Sequence, residues 1–189
     1  MTAAESNLFT HLECSMTGAS VTNDQPRNLS PEGWPLLARY DLDAMRASVD
    51  RDAIAARDPL RFPGFWKWRE LLPVKRDENV VSLGEVDTPL MPVPGSAAGI
   101  GASGRVIVKD EGRLPTGSFK ARGLAVAVSM AKSFGVTRMA MPTNGNAGAA
   151  LSAYGARAGM ETWCFCPDDT PEVNVREIAA QGGHVFRVN

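Results

Sequence analysis

The sequence predicts an α/β protein, a parallel sheet with alternating helices behind a loop-rich N-terminal appendage. Two observations carry that expectation. Beyond Gly104, short apolar runs alternate with helix-length segments, and strands joined by helices through short loops form parallel sheets with right-handed crossovers. The first 35 residues are instead polar. A chain of 189 residues that is 44% apolar is long enough to bury a sizeable core. We divide it into an appendage over 1–35, a lead-in over 36–104 and the alternating region over 105–189.

In chain order, Leu42, Met45, Val49 and Ile54 recur at loose helical spacing between Asp41 and Arg57, and Asp58-Pro59 ends that segment. Phe62, Phe65, Trp66 and Trp68 read as an aromatic patch that anchors the N-terminal region on the main body. Met91 to Gly104, with two prolines and four glycines, reads as a connector. Val106 to Val108 is a short apolar strand, and the run from Leu124 to Phe134 is helical until Gly135 stops it. Arg138 to Met141 is the next strand, and Asn146 to Ala158 a small-residue helix closed by Gly159. Thr162 to Cys166 is a strand whose Cys164 and Cys166 face one side as small core residues. Pro171 to Ala180 is a helix with proline in its first turn, and Val185 to Val188 a last strand.

Ligands of such sheets sit beyond the carboxyl ends of the strands. Lys120 and the Thr143-Asn144-Gly145-Asn146 loop each stand at a strand-to-helix transition. Pro115 and Gly117 mark a turn, and Ser118 is a good N-cap, which puts Lys120 in the first helical turn. The positive end of the helix dipole there disfavours an ammonium and favours a free amine. At about 100° per residue, Lys120 shares a face with Leu124, Ala127, Val128, Ala131 and Phe134, with Arg122, Ser129 and Ser133 opposite. The lysine is therefore expected on the buried side. Two readings stay open: a lysine whose head escapes past the helix end into solvent, or an amine held neutral to make a Schiff base with a carbonyl cofactor. Only five lysines occur among the twenty Lys and Arg residues, so candidates are few. Thr143 to Gly148 puts hydroxyl, amide and glycine groups at a helix N-terminus, which suits a small carboxylate. Plain capping by Asn144 or Asn146 is the other reading.

The run KDEGRLPTGSFKARG, followed by PTNGNAGAALSAYGARAGM, resembles threonine synthase and, more broadly, the fold-type II pyridoxal-phosphate enzymes that share the tryptophan synthase β-subunit fold. WKWRELLPV and SLGEVDTPL are similar to lead-in segments of the same family, so the resemblance runs from about Leu12 to the last residue. It implies pyridoxal 5'-phosphate as cofactor, with Lys120 as the residue that holds it and then moves protons at the substrate carbons. Asn146 is implied beside the phenolic oxygen of the cofactor ring. Thr143, Asn144, Gly145 and Ala147 are implied around the substrate carboxylate. The reaction implied is conversion of O-phosphohomoserine and water to threonine and phosphate. Arg122, facing away from Lys120 on the wheel, is expected to have a structural or interdomain role.

The sequence departs from that family in three places. Many threonine synthases carry paired C-x-x-C knuckles before a similar PLLARYDL segment, a zinc pattern. Here Cys14 stands with Thr17, Ser30 and Gly33, so we expect no metal. Val86 occupies a position where the family usually has glycine, and a positive φ there would strain it. After Lys120 there is neither a glycine-rich phosphate cup nor a partner for the pyridine nitrogen. The chain therefore reads as an N-terminal portion, inactive alone, that forms a homo-oligomer or works with a missing C-terminal segment. Threonine dehydratase, cysteate synthase and a non-catalytic homologue acting as a binding module remain alternatives. A formal charge of −1 with no basic block argues against nucleic acid as partner. No apolar run approaches the roughly 20 residues of a membrane helix. The polar start from Met1 to Asn7 lacks the regions of a secretory signal, and the three cysteines make no disulfide framework, so the expected setting is cytoplasmic.

Overall fold

The computed structural model describes residues 7–94, 99 and 105–189. The polar start from Met1 to Ser6 and, within the expected connector, residues 95–98 and 100–104 lie outside the described residues. The leading segment contains more regular structure than its polar composition suggests. Strands β1 (Phe9–Cys14), β2 (Ser20–Val21) and β3 (Leu36–Tyr40) form an antiparallel sheet in the order β2-β1-β3. Leu12 pairs with Val21 on one side and with Ala38 on the other, and Phe9 meets Tyr40 edge to face at 5.7 Å. The sheet is tied to the main body by Leu8 N–H donating to the Glu70 carbonyl (2.8 Å) and by the Asn7 amide donating to the Pro73 carbonyl (3.0 Å).

The helix expected from Asp41 to Arg57 is in fact two, α1 (Leu42–Ser48) and α2 (Arg51–Ala55). Val49 is extended at φ −88° and ψ 108°. The Asp50 carboxylate then accepts from the N–H groups of Asp52 (2.8 Å) and Ala53 (3.2 Å), which starts a new helix. An aspartate in mid-helix competes for backbone donors in this way, and here it wins. The aromatic patch does anchor: Trp66 is fully buried in the main core, within 3-10 turns over Gly64–Leu71.

A second correction concerns the first expected strand of the parallel sheet. Strand β5 (Arg105–Lys109) is not in that sheet; it pairs antiparallel with β4 (Leu90–Pro94), which falls largely where a connector was expected. Pro92 opposite Ile107 is tolerated because a two-stranded ribbon has a free edge for a residue without an N–H. The parallel sheet itself comprises β6 (Arg138–Pro142), β7 (Glu161–Pro167) and β8 (His184–Val188), in sequence order. Its crossovers are α4 (Asn146–Ala158) and α5 (Glu172–Ala180), and α3 (Lys120–Ser133) packs on α4. Ala149, Ala150 and Ala153 lie buried along α4, small enough to let that helix approach closely, and Cys164 and Cys166 fill the facing side of β7 as expected. Burying Leu151 and Ile178 beside them contributes about 1.5–3 kcal/mol each.

Candidate active site

The approach to Lys120 is strained. A 3-10 turn over Pro115–Gly117 places Thr116 at φ 60° and ψ 19°, and among the described residues it is the only non-glycine with positive φ. Val86 therefore escapes the strain expected of it. The Thr116 and Ser118 hydroxyls are buried and find no partner among the described residues. Ser118 is thus not the N-cap. Phe119 takes that position without a side-chain bond, and α3 begins at Lys120 itself.

Lys120 does stand in the first turn, half-buried, with Nζ 4.8 Å from the centre of the Phe119 ring. The expected helix face is rotated, however. Ala121, Ala125, Val128, Ser129 and Ala131 make the buried stripe, which shares Val128 and Ala131 with the expected face, while Ala127 is exposed. Lys120 lies about a quarter turn away, at the edge of that stripe. Ser129, expected on the outer face, is wholly buried because its hydroxyl donates to the Ala125 carbonyl (2.7 Å) and accepts from Val81 N–H (2.9 Å). Arg122 grips both oxygens of Glu111, at 2.5 and 2.8 Å, and reaches the Thr88 hydroxyl at 3.2 Å. It thereby ties the β4–β5 ribbon to α3, the kind of structural role expected of it. The Arg122 guanidinium, helped by the Thr88 hydroxyl, pulls the Glu111 carboxyl down to a pKa of about 2.

At the start of α4, neither Asn144 nor Asn146 caps the helix. The buried Thr143 hydroxyl does so, accepting from Gly145 N–H (3.1 Å) and from Gly148 N–H (2.9 Å). Gly145 sits at φ 143° and ψ −96°. Gly148 must lack a side chain, since a methyl there would lie 2.6 Å from Thr143 Cγ2 and 2.8 Å from Ile178 Cδ1. The first-turn N–H groups of Asn146 and Ala147 have no partner among the described residues and point out of the helix end.

The two loops meet. Lys120, Thr143, Asn144, Gly145, Asn146 and Ala147, all six of the residues singled out from the sequence, line one cavity of about 590 Å³ together with Met141, Pro142, Pro167 and Asn174. Pro142 and Pro167 end β6 and β7, so the cavity opens beyond the carboxyl ends of parallel strands. An amine, the exposed amide of Asn146 and free helix N–H groups around one hollow can hold a flat anionic molecule and move a proton at it.

Two residues escaped sequence reasoning. Asn174 reaches the cavity from the first turn of α5, and its place just after a β7 crossover was the available signal. Glu85, 2% exposed, accepts from the Tyr154 hydroxyl at 2.5 Å and from Ser82 Oγ and Leu83 N–H. Nothing local marks it, because Tyr154 is 69 residues away in sequence. At the knuckle positions, the Ser30 and Thr17 hydroxyls lie beside the buried Cys14 thiol and lower its pKa. Among the described residues no group of three or more His, Cys, Asp or Glu is arranged to hold a metal ion.

Comparison with known proteins matches residues 81–189 to the family described as pyridoxal-phosphate dependent enzyme. Threonine synthase from Synechocystis sp. is 45% identical over 101 residues, which is 53% of this chain and 26% of that protein. Threonine synthase from Methanosarcina acetivorans is 34% identical over 158 residues, 83% of this chain and 37% of that protein. The chain thus spans between about a quarter and somewhat more than a third of these relatives' length. Among solved structures, diaminopropionate ammonia lyase from Escherichia coli superimposes with a TM-score of 0.51 at 19% identity, over 59% of this chain and 34% of that one. That likeness bears on the fold alone.

Proposed function

Because the chain belongs to the family of pyridoxal-phosphate dependent enzymes, we propose that it is the lysine-bearing portion of a threonine synthase, acting on O-phosphohomoserine and water to give threonine and phosphate. The observation that carries the reading is the single cavity that gathers Lys120 with the Thr143–Ala147 loop. The similarity to threonine synthases from several organisms supports this substrate over others.

The residues present fit the cofactor. About 590 Å³ lies within the roughly 300–1,000 Å³ usual for cofactor pockets. The half-buried Lys120 amine supplies the nucleophile a carbonyl cofactor needs, and the unpartnered N–H groups of α4 suit an anionic group. Bound pyridoxal phosphate supplies the electron sink for chemistry at amino-acid carbons. Lys120 would hold the cofactor and, once released, carry protons on Nζ between the substrate carbons. Asn146 would orient the ring through its phenolic oxygen. The backbone N–H groups around Asn144, Gly145 and Ala147 would take the substrate carboxylate. Thr143, whose hydroxyl already serves the loop, would act by shaping it. The remaining contacts to the cofactor phosphate and pyridine nitrogen would come from parts of the relatives to which this chain does not align.

The test is product analysis with O-phosphohomoserine, using the protein purified together with any polypeptide that accompanies it. Threonine and phosphate in equal amounts support the reading. Conversion of threonine to 2-oxobutanoate and ammonia, with no turnover of O-phosphohomoserine, would replace it with a dehydratase.

A further inference from the structure

Gly145 adopts φ 143° and ψ −96°, a mirror-β backbone conformation open to glycine and closed to residues that carry a side chain. Thr143 restrains it from the β6 side through the two N–H groups already described. From the other side comes Asn174. Its Nδ2 donates to the Asn144 carbonyl at 3.3 Å, and a methyl at position 145 would stand 2.7 Å from Asn174 Cγ. The side chain thus occupies the space that any residue larger than glycine would need. Asn174 is itself held, because its own N–H donates to the Pro171 carbonyl (3.0 Å) in the first turn of α5.

We infer that Asn174 is a positioning residue of the cavity: it clamps Asn144-Gly145 so that the free N–H groups of Asn146 and Ala147 stay aimed into the hollow. The ligand they would meet is the anionic group of the cofactor or of its amino-acid substrate, so the inference rests on the functional reading above. A side chain on α5 then sets the anion-binding end of α4, on which α5 packs through Ile178 beside Gly148.

Two variants of the full chain test it. Asn174→Ala removes both donor and bulk, whereas Asn174→Asp keeps the shape and removes the donor. Hydrogen exchange measured by NMR without ligand should quicken by about tenfold at the Gly145 and Gly148 N–H groups in both variants, as expected when a local clamp is lost. The amides from Ala150 to Tyr154 and the urea midpoint should not change. Titration with pyridoxal phosphate should show affinity weakened about three- to tenfold, the range for one lost hydrogen bond. Exchange at Gly145 and Gly148 equal to that of the unsubstituted chain would overturn the inference. Acceleration spread evenly through α4 would overturn it too, since that is the mark of a general packing role. If pyridoxal phosphate taken up by the unsubstituted chain bonds to a lysine other than Lys120, the functional reading falls, while exchange at the two glycines still decides the role of Asn174.

Discussion

Replacing Thr143 by valine keeps the shape of a buried side chain and removes only its hydroxyl. That oxygen accepts from Gly145 N–H at 3.1 Å and from Gly148 N–H at 2.9 Å, and both glycines are buried. Loss of a capping side chain costs about 0.5–2 kcal/mol, and each buried donor left without a partner adds about 1–3 kcal/mol unless water reaches it. Some relaxation of the loop is expected, so Thr143→Val should lose about 2 kcal/mol. For a chain of this size that corresponds to a fall in Tm of about 4–8 °C. Urea unfolding followed by circular dichroism measures it. Thr143→Ser is the matched control: it keeps the hydroxyl and loses one methyl, worth about 0.8 kcal/mol. If the valine variant were as stable as the parent, or more stable than the serine variant, the hydroxyl would not be the cap of α4.

Other substitutions probe the same packing. Gly148→Ala would drive a methyl against Thr143 and Ile178, and overpacking of this kind should cost about 1–3 kcal/mol in the same urea assay. Tyr154→Phe removes one of the two closest donors to the buried Glu85 carboxylate and should cost about 2 kcal/mol. Burial, with Glu85 beside it, raises the Tyr154 phenol above its ordinary value. The stability this contributes is complete below the unfolded pKa of about 10 and is lost as pH rises beyond it, so ultraviolet titration should show Tyr154 ionising only as the protein unfolds. For Glu111 the sign is opposite. Its folded pKa of about 2 lies below the ordinary 4.5, so its contribution is present above pH 4.5 and fades as pH falls toward 2. The pair is part-exposed, so Glu111→Gln should cost about 1 kcal/mol or less at neutral pH, with the difference from the parent vanishing in acid.

The parts of the fold that sequence reveals best are those where one physical rule acts alone. Asn146–Ala158 combines small helix formers with a closing glycine, and the structure agrees to the residue. Cys164 and Cys166 follow the two-residue period of a strand buried on one side. Where two rules compete, the stronger one is set by contacts that sequence does not display. Val49 fits the helical period, yet the Asp50 cap breaks the helix beside it. Apolar spacing alone turns Ser129 of α3 outward, but Val81, 48 residues earlier, draws it inward. Val106 to Val108 has the composition of a buried parallel strand and instead pairs with a segment rich in proline. The six residues that line the cavity were legible because they lie in two local motifs, each just before or at the start of a helix. Asn174 and Glu85 were not, because each owes its place to the tertiary crossover that brings α5 or the 82–85 turn onto α4.

Lys120 is proposed as the residue that bonds to the cofactor, and labelling can show it. The direct measurement is to incubate the full chain with pyridoxal phosphate, reduce with borohydride and map the labelled peptides by mass spectrometry. A pyridoxyl group is expected on Lys120, with loss of labelling in Lys120→Ala while the circular dichroism spectrum is unchanged. Label at Lys67, Lys75, Lys109 or Lys132 with Lys120 unmodified would contradict it.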